Sequence, residues 1–360
     1  MENEPSVIQA NHIESFRRVA IIVPYYQLEP KILRRCLGSI FAQKMAPTSR
    51  MHVIIVDDAS PWPAKEELRD IAIPEQITVE IITRSNGGPG AARNSGLDHV
   101  SSATDFIAFI DSDDTWRHDH LQRAVDALGK SNDLYFSDHR QWANFSYLRS
   151  IEFDAWFGQG SSSRAVAMMD SVWVCSSDDL FPFAVEAWLA HTSTVVCRRS
   201  TLADCRFCED LRWSGEDHLF FLDLLSSSSR TCISTETEVE LGYGVNIFLN
   251  SWSWESENNL NRFNCQFIAQ KRIRRKYRLS SKLDKAVASR VRRWRVPLSI
   301  FILRHLLKRR TVPVEALMLI LREDPIFFAI LPMNFVRAAT EWALCKVQGK
   351  QSFTGASICR

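Results

Sequence analysis

Asp111, Asp113 and Asp114 close the segment Phe-Ile-Ala-Phe-Ile-Asp-Ser-Asp-Asp at residues 106–114. Five apolar residues that end in three carboxylates read as a strand buried on both faces, with its acids at the C-terminal tip. Open α/β sheets bind ligands at that end. Carboxylates this close repel one another and call for a cation. Their hard oxygens suit Mg²⁺ or Mn²⁺, ions that commonly bridge to substrate phosphates. Taken alone, the same residues are explained as well by an acidic turn capping the helix-like stretch that starts at Trp116.

Other positions share this potential. Pro24-Tyr25-Tyr26-Gln27 ends an apolar run, and an aromatic there either stacks on a planar base or packs in the core. Val56-Asp57-Asp58-Ala59-Ser60 ends a second run. A carboxylate in that place accepts an imide N–H or a ribose hydroxyl, or caps a helix. Residues 86–96 are rich in glycine and contain Arg93, so the backbone can approach a ligand closely beside a phosphate-binding cation. This is not a dinucleotide fingerprint, because Arg93 stands where the third glycine belongs and the segment follows the third strand. Glu216 and Asp217 in Trp213-Ser214-Gly215-Glu216-Asp217-His218 offer a general base if the chain folds back, or merely favourable acids in the first turn of a helix.

The elements needed to position these groups are visible. Strands at 19–23, 53–56, 78–82 and 106–110 alternate with helices at 31–43, 63–71 and 91–100. That pattern predicts an α/β protein with a mostly parallel central sheet flanked by helices. Residues 133–137 and 192–197 read as further strands and 216–225 as a helix. Beyond about residue 257 the pattern is helical and basic, with sixteen Lys or Arg and one acid, Asp284, within 271–310. Val287, Val291, Trp294 and Leu298 follow helical spacing there, and Pro297 is expected to kink or divide that helix. A basic amphipathic segment suits a membrane surface, or else packs on a neighbouring domain with its arginines solvated. The expected division is a polar leader at 1–17, a catalytic domain at 18–256 with halves 18–130 and 131–256, and a helical basic region at 257–360.

Composition sets outer limits. The 46% hydrophobic and 24% charged content is that of a globular protein, and no run of 18 apolar residues marks a spanning helix. The acidic N-terminus lacks a secretory pattern, and nine scattered cysteines fit a reducing compartment. Cys205 and Cys208 form a CxxC without a fourth zinc ligand at suitable spacing, so they read as core thiols. No nucleic-acid recognition motif is present.

In order, Ile22-Val23-Pro24-Tyr25-Tyr26, Val56-Asp57-Asp58-Ala59-Ser60, the 90–96 segment, Asp111-Ser112-Asp113-Asp114 and Gly215-Glu216-Asp217 resemble a family 2 glycosyltransferase with the GT-A fold. The likeness covers roughly residues 18–255. Ile32-Leu33-Arg34-Arg35, Val196-Cys197-Arg198-Arg199-Ser200, Gly244-Val245-Asn246-Ile247 and Ser256-Glu257-Asn258 are similar to the succinoglycan-type exopolysaccharide glucosyltransferases. The resemblance implies an inverting transfer of a hexose, glucose by the subfamily likeness, from a UDP-sugar to a saccharide or lipid-linked saccharide in bacterial surface polysaccharide synthesis. Pro24 and Tyr26 would flank the uracil. Asp58, or Asp57 one position earlier, would hydrogen-bond it. Arg93 would approach the ribose or diphosphate, and Asp111 and Asp113 form the acidic pair. Asp113 and Asp114 would face Mg²⁺ or Mn²⁺, and Asp217, with Glu216 beside it, would be the catalytic base. Trp252 and Trp254 are candidate acceptor contacts or ordinary buried aromatics. Ala59 departs from the family's usual glycine. The implied location is cytoplasmic, at the inner face of the membrane, with peripheral contact through residues 271–310 and no nucleic-acid partner. The competing readings are a metal-dependent nucleotidyltransferase and a non-catalytic sugar-nucleotide-binding protein of the same fold.

Overall fold

The computed structural model describes residues 17–140, 146–150, 165–202, 204–245, 258–307 and 312–347. Strands and helices alternate first: β1 (Arg18–Tyr25), α1 (Ile32–Phe41), β2 (Arg50–Asp57), α2 (Ala64–Leu68), β3 (Ile77–Thr83), α3 (Pro89–Asp98) and β4 (Phe106–Phe109). The middle holds β5 (Thr115–Trp116), α4 (His120–Leu128), β6 (Leu134–Arg140), α5 (Tyr147–Ser150), β7 (Ala165–Met169), β8 (Val172–Ser176), α6 (Ser177–Glu186), β9 (Val196–Arg198), α7 (Arg199–Leu202), α8 (Glu216–Ser226) and β10 (Arg230–Glu240). Four helices follow: α9 (Asn259–Lys276), α10 (Ser281–Leu307), α11 (Val314–Glu323) and α12 (Ile326–Val347).

One sheet runs in the order β3-β2-β1-β4-β9-β6-β10-β8-β7, with β5 paired to β10. The strands β3, β2, β1 and β4 are mutually parallel, as are β6 and β10, while β9 runs antiparallel between the two groups. The expected α/β architecture is therefore present. Both faces of β1 are buried, and its side chains alternate as the pleat requires. Val19, Ile21 and Val23 join a core with Leu33, Leu37 and Ile40 of α1 and Leu121 and Val125 of α4. Ala20 and Ile22 face a second core with Ala92 of α3 and Leu219, Leu222 and Leu225 of α8.

Two local readings are corrected. Residues 192–197 are not a single strand. Thr192–Thr194 form a 3₁₀ turn before β9, held by the Thr194 N–H and hydroxyl, which both donate to the His191 carbonyl. Nor is the helix divided at Pro297, which lies inside α10. Val296, Leu298 and Phe301 are buried on either side of it. Burial of side chains this size stabilises by about 1.5–3 kcal/mol each, which offsets roughly 3 kcal/mol for an interior proline.

The C-terminal helices share the second core. Val287, Val291 and Leu298 are buried in it, and Trp294 packs on Phe263 with ring centroids 5.1 Å apart. The stripe foreseen at 287–298 thus faces protein. Much of the basic block is neutralised internally: Lys271 and Arg295 pair with Asp324, Arg272 with Asp210 and Glu323, Arg274 with Asp284, Arg275 with Glu323, and Lys276 with Asp223. Cys205 and Cys208 are free thiols, and Cys205 lies against the Ser227 hydroxyl. Among the described residues, no helix is long and apolar enough to cross a membrane.

Candidate functional site

The site lies at the tips of β1, β2 and β4. Pro24 is buried and stands opposite Val56 in the β1–β2 register, while Tyr26 turns outward and is 36% exposed. Gln27 is buried and binds three neighbours together. It exchanges hydrogen bonds with Ser60 after β2, its side-chain amide donates to the Ser112 hydroxyl at 3.1 Å, and its amide oxygen accepts the Val245 N–H. One glutamine thereby joins the tips of three strands to the loop after β10.

The two carboxylates after β2 do different local work. Asp57 accepts the N–H groups of Ser60 and Ala64, each at 2.8 Å, and so fixes the turn and the start of α2. Within that turn Ala59 is left-handed, with φ 58°. This costs a side-chain-bearing residue roughly 1–2 kcal/mol and explains why glycine is the usual occupant. Asp58 accepts from Gly87 at 2.9 Å and Gly88 at 2.7 Å, with the Arg84 guanidinium 3.5 Å away. It holds the glycine turn against β2.

The acidic turn follows β4. Asp111 takes a short contact from Arg93, 2.6 Å from Nη2 to Oδ1, and its own N–H donates to the Ser193 hydroxyl. Asp114 is buried, accepting from the Gly242 N–H at 2.8 Å and from the Ser193 hydroxyl. Asp113 accepts the Gly244 N–H at 2.8 Å. Gly242 is obligatory in this fit, because a Cβ there would lie 1.8 Å from the Asp113 carbonyl oxygen. Burial raises the Asp113 and Asp114 carboxyls, and repulsion from the neighbouring acids adds to it. Burial also acts on Asp111, yet Arg93 outweighs it and holds that group below the ordinary carboxylate range.

Arg93 is the link to the distant motif. Its side chain is 4% exposed, lies 5.2 Å over the Phe207 ring, and reaches Glu216 at 3.4 Å as well as Asp111. Glu216 and Asp217 open α8 behind Gly215, whose φ is 92°. Glu216 is buried, and burial with Asp217 beside it pushes its carboxyl up to about 8. Asp217 is half-buried and accepts the His218 N–H at 2.9 Å.

Several participants were not foreseen. The ligand atoms of Asp111, Asp114 and His191 lie within 4.8 Å of one another, an arrangement able to hold a metal ion and unique among the described residues. His191 and Ser193 arrive from the 3₁₀ turn, and no local signal ties either to an acidic turn some 80 residues earlier. The family resemblance implies that Asp113 and Asp114 face a metal ion; the carboxylates that the structure gathers with His191 are Asp111 and Asp114. Gln27 was in view only as the end of its motif. Trp252 and Trp254 lie outside the described residues.

A family model described as Glycosyl transferase family 2 matches residues 20–181. Succinoglycan biosynthesis protein ExoW of Rhizobium meliloti (strain 1021) is 35% identical over 233 residues, 64% of this chain and 70% of that protein. Minor teichoic acid biosynthesis protein GgaA of Bacillus subtilis (strain 168) is 33% identical over 107 residues, 30% of this chain and 24% of its own length. The crystal structure of S. aureus TarS 1–349 in complex with UDP-GlcNAc superposes with TM-score 0.52 at 18% identity, covering 92% of each chain. The same TarS fragment without ligand gives 0.51 at 16% identity, over 93% of this chain and 92% of that one. Likeness at that identity speaks for the fold, which is GT-A. The kinship with ExoW reaches across 70% of that protein, and together with the ordered motifs at the strand tips it makes this chain a member of glycosyltransferase family 2.

Proposed function

We propose that the chain transfers a hexose, glucose in the first instance, from a UDP-sugar to a saccharide hydroxyl with inversion, during surface polysaccharide synthesis. The observation that supports this reading is the Asp111–Arg93–Glu216 bridge, which couples the acidic turn to the start of α8, where Asp217 follows Glu216. Tyr26, exposed at the tip of β1, would stack on the uracil above Pro24, with Asp58 or Asp57 at the base edge.

The donor set fits a divalent cation. Three carboxyls crowd one turn, two of them forced upward by burial and mutual repulsion, and a cation relieves both. Asp111, Asp114 and His191 would hold it, with Asp113 at the rim. An imidazole among carboxylates suits Mn²⁺ better than Mg²⁺, which prefers oxygen alone. Such an ion supplies charge compensation for the departing diphosphate. Asp217 accepts the proton of the attacking hydroxyl. The surrounding tips hold the two substrates in line, which is a positioning effect.

The test is a screen of radiolabelled UDP-sugars for hydrolysis with and without Mn²⁺, followed by lipid-linked saccharides as acceptors. Asp114→Ala should lower UDP affinity in the presence of Mn²⁺ and the hydrolysis rate together. Unchanged Mn²⁺-dependent UDP binding in that variant would remove Asp114 from the cation site.

We further propose that residues 18–256 work as the catalytic unit at the cytoplasmic face of the inner membrane. The stripe at 287–298 is occupied by the core, so lipid contact would fall to the arginines left outside, such as Arg278 and Arg292, and to the outer faces of α11 and α12. Val314, Met318 and Leu321 are exposed at helical spacing on α11, as are Ile326, Met333 and Val336 on α12. Each basic residue near anionic lipid contributes about 1 kcal/mol. Sedimentation with anionic vesicles, weakened by salt, is the expected result; equal binding to neutral vesicles or to RNA would defeat it.

A further inference from the structure

The segment between α6 and β9 makes contacts at both of its ends. At one end Trp188 stacks on His218, with ring centroids 4.7 Å apart and planes inclined at 27°. Three residues later His191 joins the acidic cluster, and Ser193 binds both Asp111 and Asp114. The same short stretch therefore touches the helix start that carries Asp217 and the turn assigned to the diphosphate. Tyr147 stacks on His139 at 4.7 Å and 25°, with His139 in turn 5.4 Å from His191. Tyr147 is placed by Asp138, a buried acid that accepts the Leu148 N–H and so fixes the start of α5.

Trp188, Tyr147 and Asp217 are each only half-buried, whereas His218 behind them is 4% exposed. The His218 Nε2 lies 2.8 Å from the Ala184 carbonyl, which assigns its proton to that nitrogen. Its Nδ1 is left as a buried acceptor without a partner. Such an atom beside a candidate general base is suited to a ligand hydroxyl. The chain just before Trp188 is anchored by Arg290 of α10, which donates to the Val185 and Glu186 carbonyls at the end of α6.

We propose that Trp188 and Tyr147 form the walls of an acceptor subsite that receives one neutral pyranose ring and presents its hydroxyl to Asp217. This rests on the glycosyltransfer reading above and names the acceptor class. Flat aromatic faces favour a sugar ring, with its apolar C–H face, over an acyclic polyol. The two walls, an indole and a phenol, carry no formal charge. A neutral hexose fits them better than a uronic acid.

The test is saturation-transfer NMR on the full chain with UDP and the diamagnetic Mg²⁺, using methyl β-glucopyranoside and cellobiose as probes and D-glucitol as the acyclic control. In the wild type the ring C–H protons of the two sugars receive saturation and those of glucitol do not. Trp188→Ala weakens the sugar signal roughly tenfold, as the loss of an aromatic contact predicts, while Trp188→Phe retains it. The UDP protons in the same samples report the donor site and confirm that each variant is folded. Sugar signals that survive Trp188→Ala, equal signals from glucitol, or no sugar signal in a wild type that binds UDP would each overturn the subsite. A wild type that binds no UDP would instead bring down the donor assignment and the subsite with it.

Discussion

Asp217→Asn should reduce sugar transfer about 10²–10⁴-fold while leaving UDP affinity unchanged, because it removes only the proton acceptor. The two adjacent acids of α8 are not equivalent. Glu216 is buried, turned toward Arg93, and pushed up to about 8 by burial and by Asp217, so it is poorly placed to collect a proton from an incoming hydroxyl. Asp217 stands half-exposed at the same helix start. The substitution is nearly isosteric, and the amide oxygen can still accept the His218 N–H that Asp217 now accepts. Initial rates with a radiolabelled donor, measured beside UDP titrations, separate the two quantities. Full turnover in the variant would exclude Asp217 as the base; a parallel loss of UDP binding would point to a role in holding the donor.

Arg93→Met should destabilise the fold by about 3–5 kcal/mol, the usual cost of stripping one partner from a buried ion pair. The lower end is the better expectation, because the Asp111 side chain is 26% exposed and water can compensate part of the loss. The pH dependence follows from Asp111. Burial opposes its ionisation, but Arg93 holds the folded carboxyl below its ordinary value of 3.8. A group depressed in this way contributes stability above its unfolded value, and that stability is lost as pH falls through the folded one. The deficit of Arg93→Met should therefore be largest near neutrality and shrink below about pH 4. Urea unfolding of both proteins across that range provides the check. Equal midpoints at pH 7 would mean that the bridge between the acidic turn and α8 holds nothing together. Arg93→Lys should recover only part of the loss, since one ammonium cannot match a planar fork that spans two carboxyls.

Much of the site at the strand tips was legible in the sequence. The strand tips announce themselves because an apolar run that stops at acids or glycine is a local pattern, set by burial of the run and solvation of its end. Residues 19–23 and 53–56 lie inside observed strands and 106–110 overruns β4 by one residue, and Asp57, Asp58 and Asp111 stand at or just beyond the strand ends. The start of α8 at Glu216 was legible for the same reason. The direction of each carboxylate was not. Asp57 and Asp58 look alike in the chain, yet one caps α2 and the other clasps the glycine turn, a choice made by which backbone N–H groups the packed strands bring near.

The chain's own pattern determined the alternation of strands and helices, the order of the motifs and the identity of the acids. Only the tertiary structure decided that His191 and Ser193 would join those acids, that Arg93 would bridge Asp111 to Glu216, and that the apolar stripe of α10 would be buried in protein. The physical reason is the same throughout. Periodicity shows which face of an element is apolar and which residues end it, but what that face or residue meets depends on loop closures across many intervening residues, and these leave no local mark.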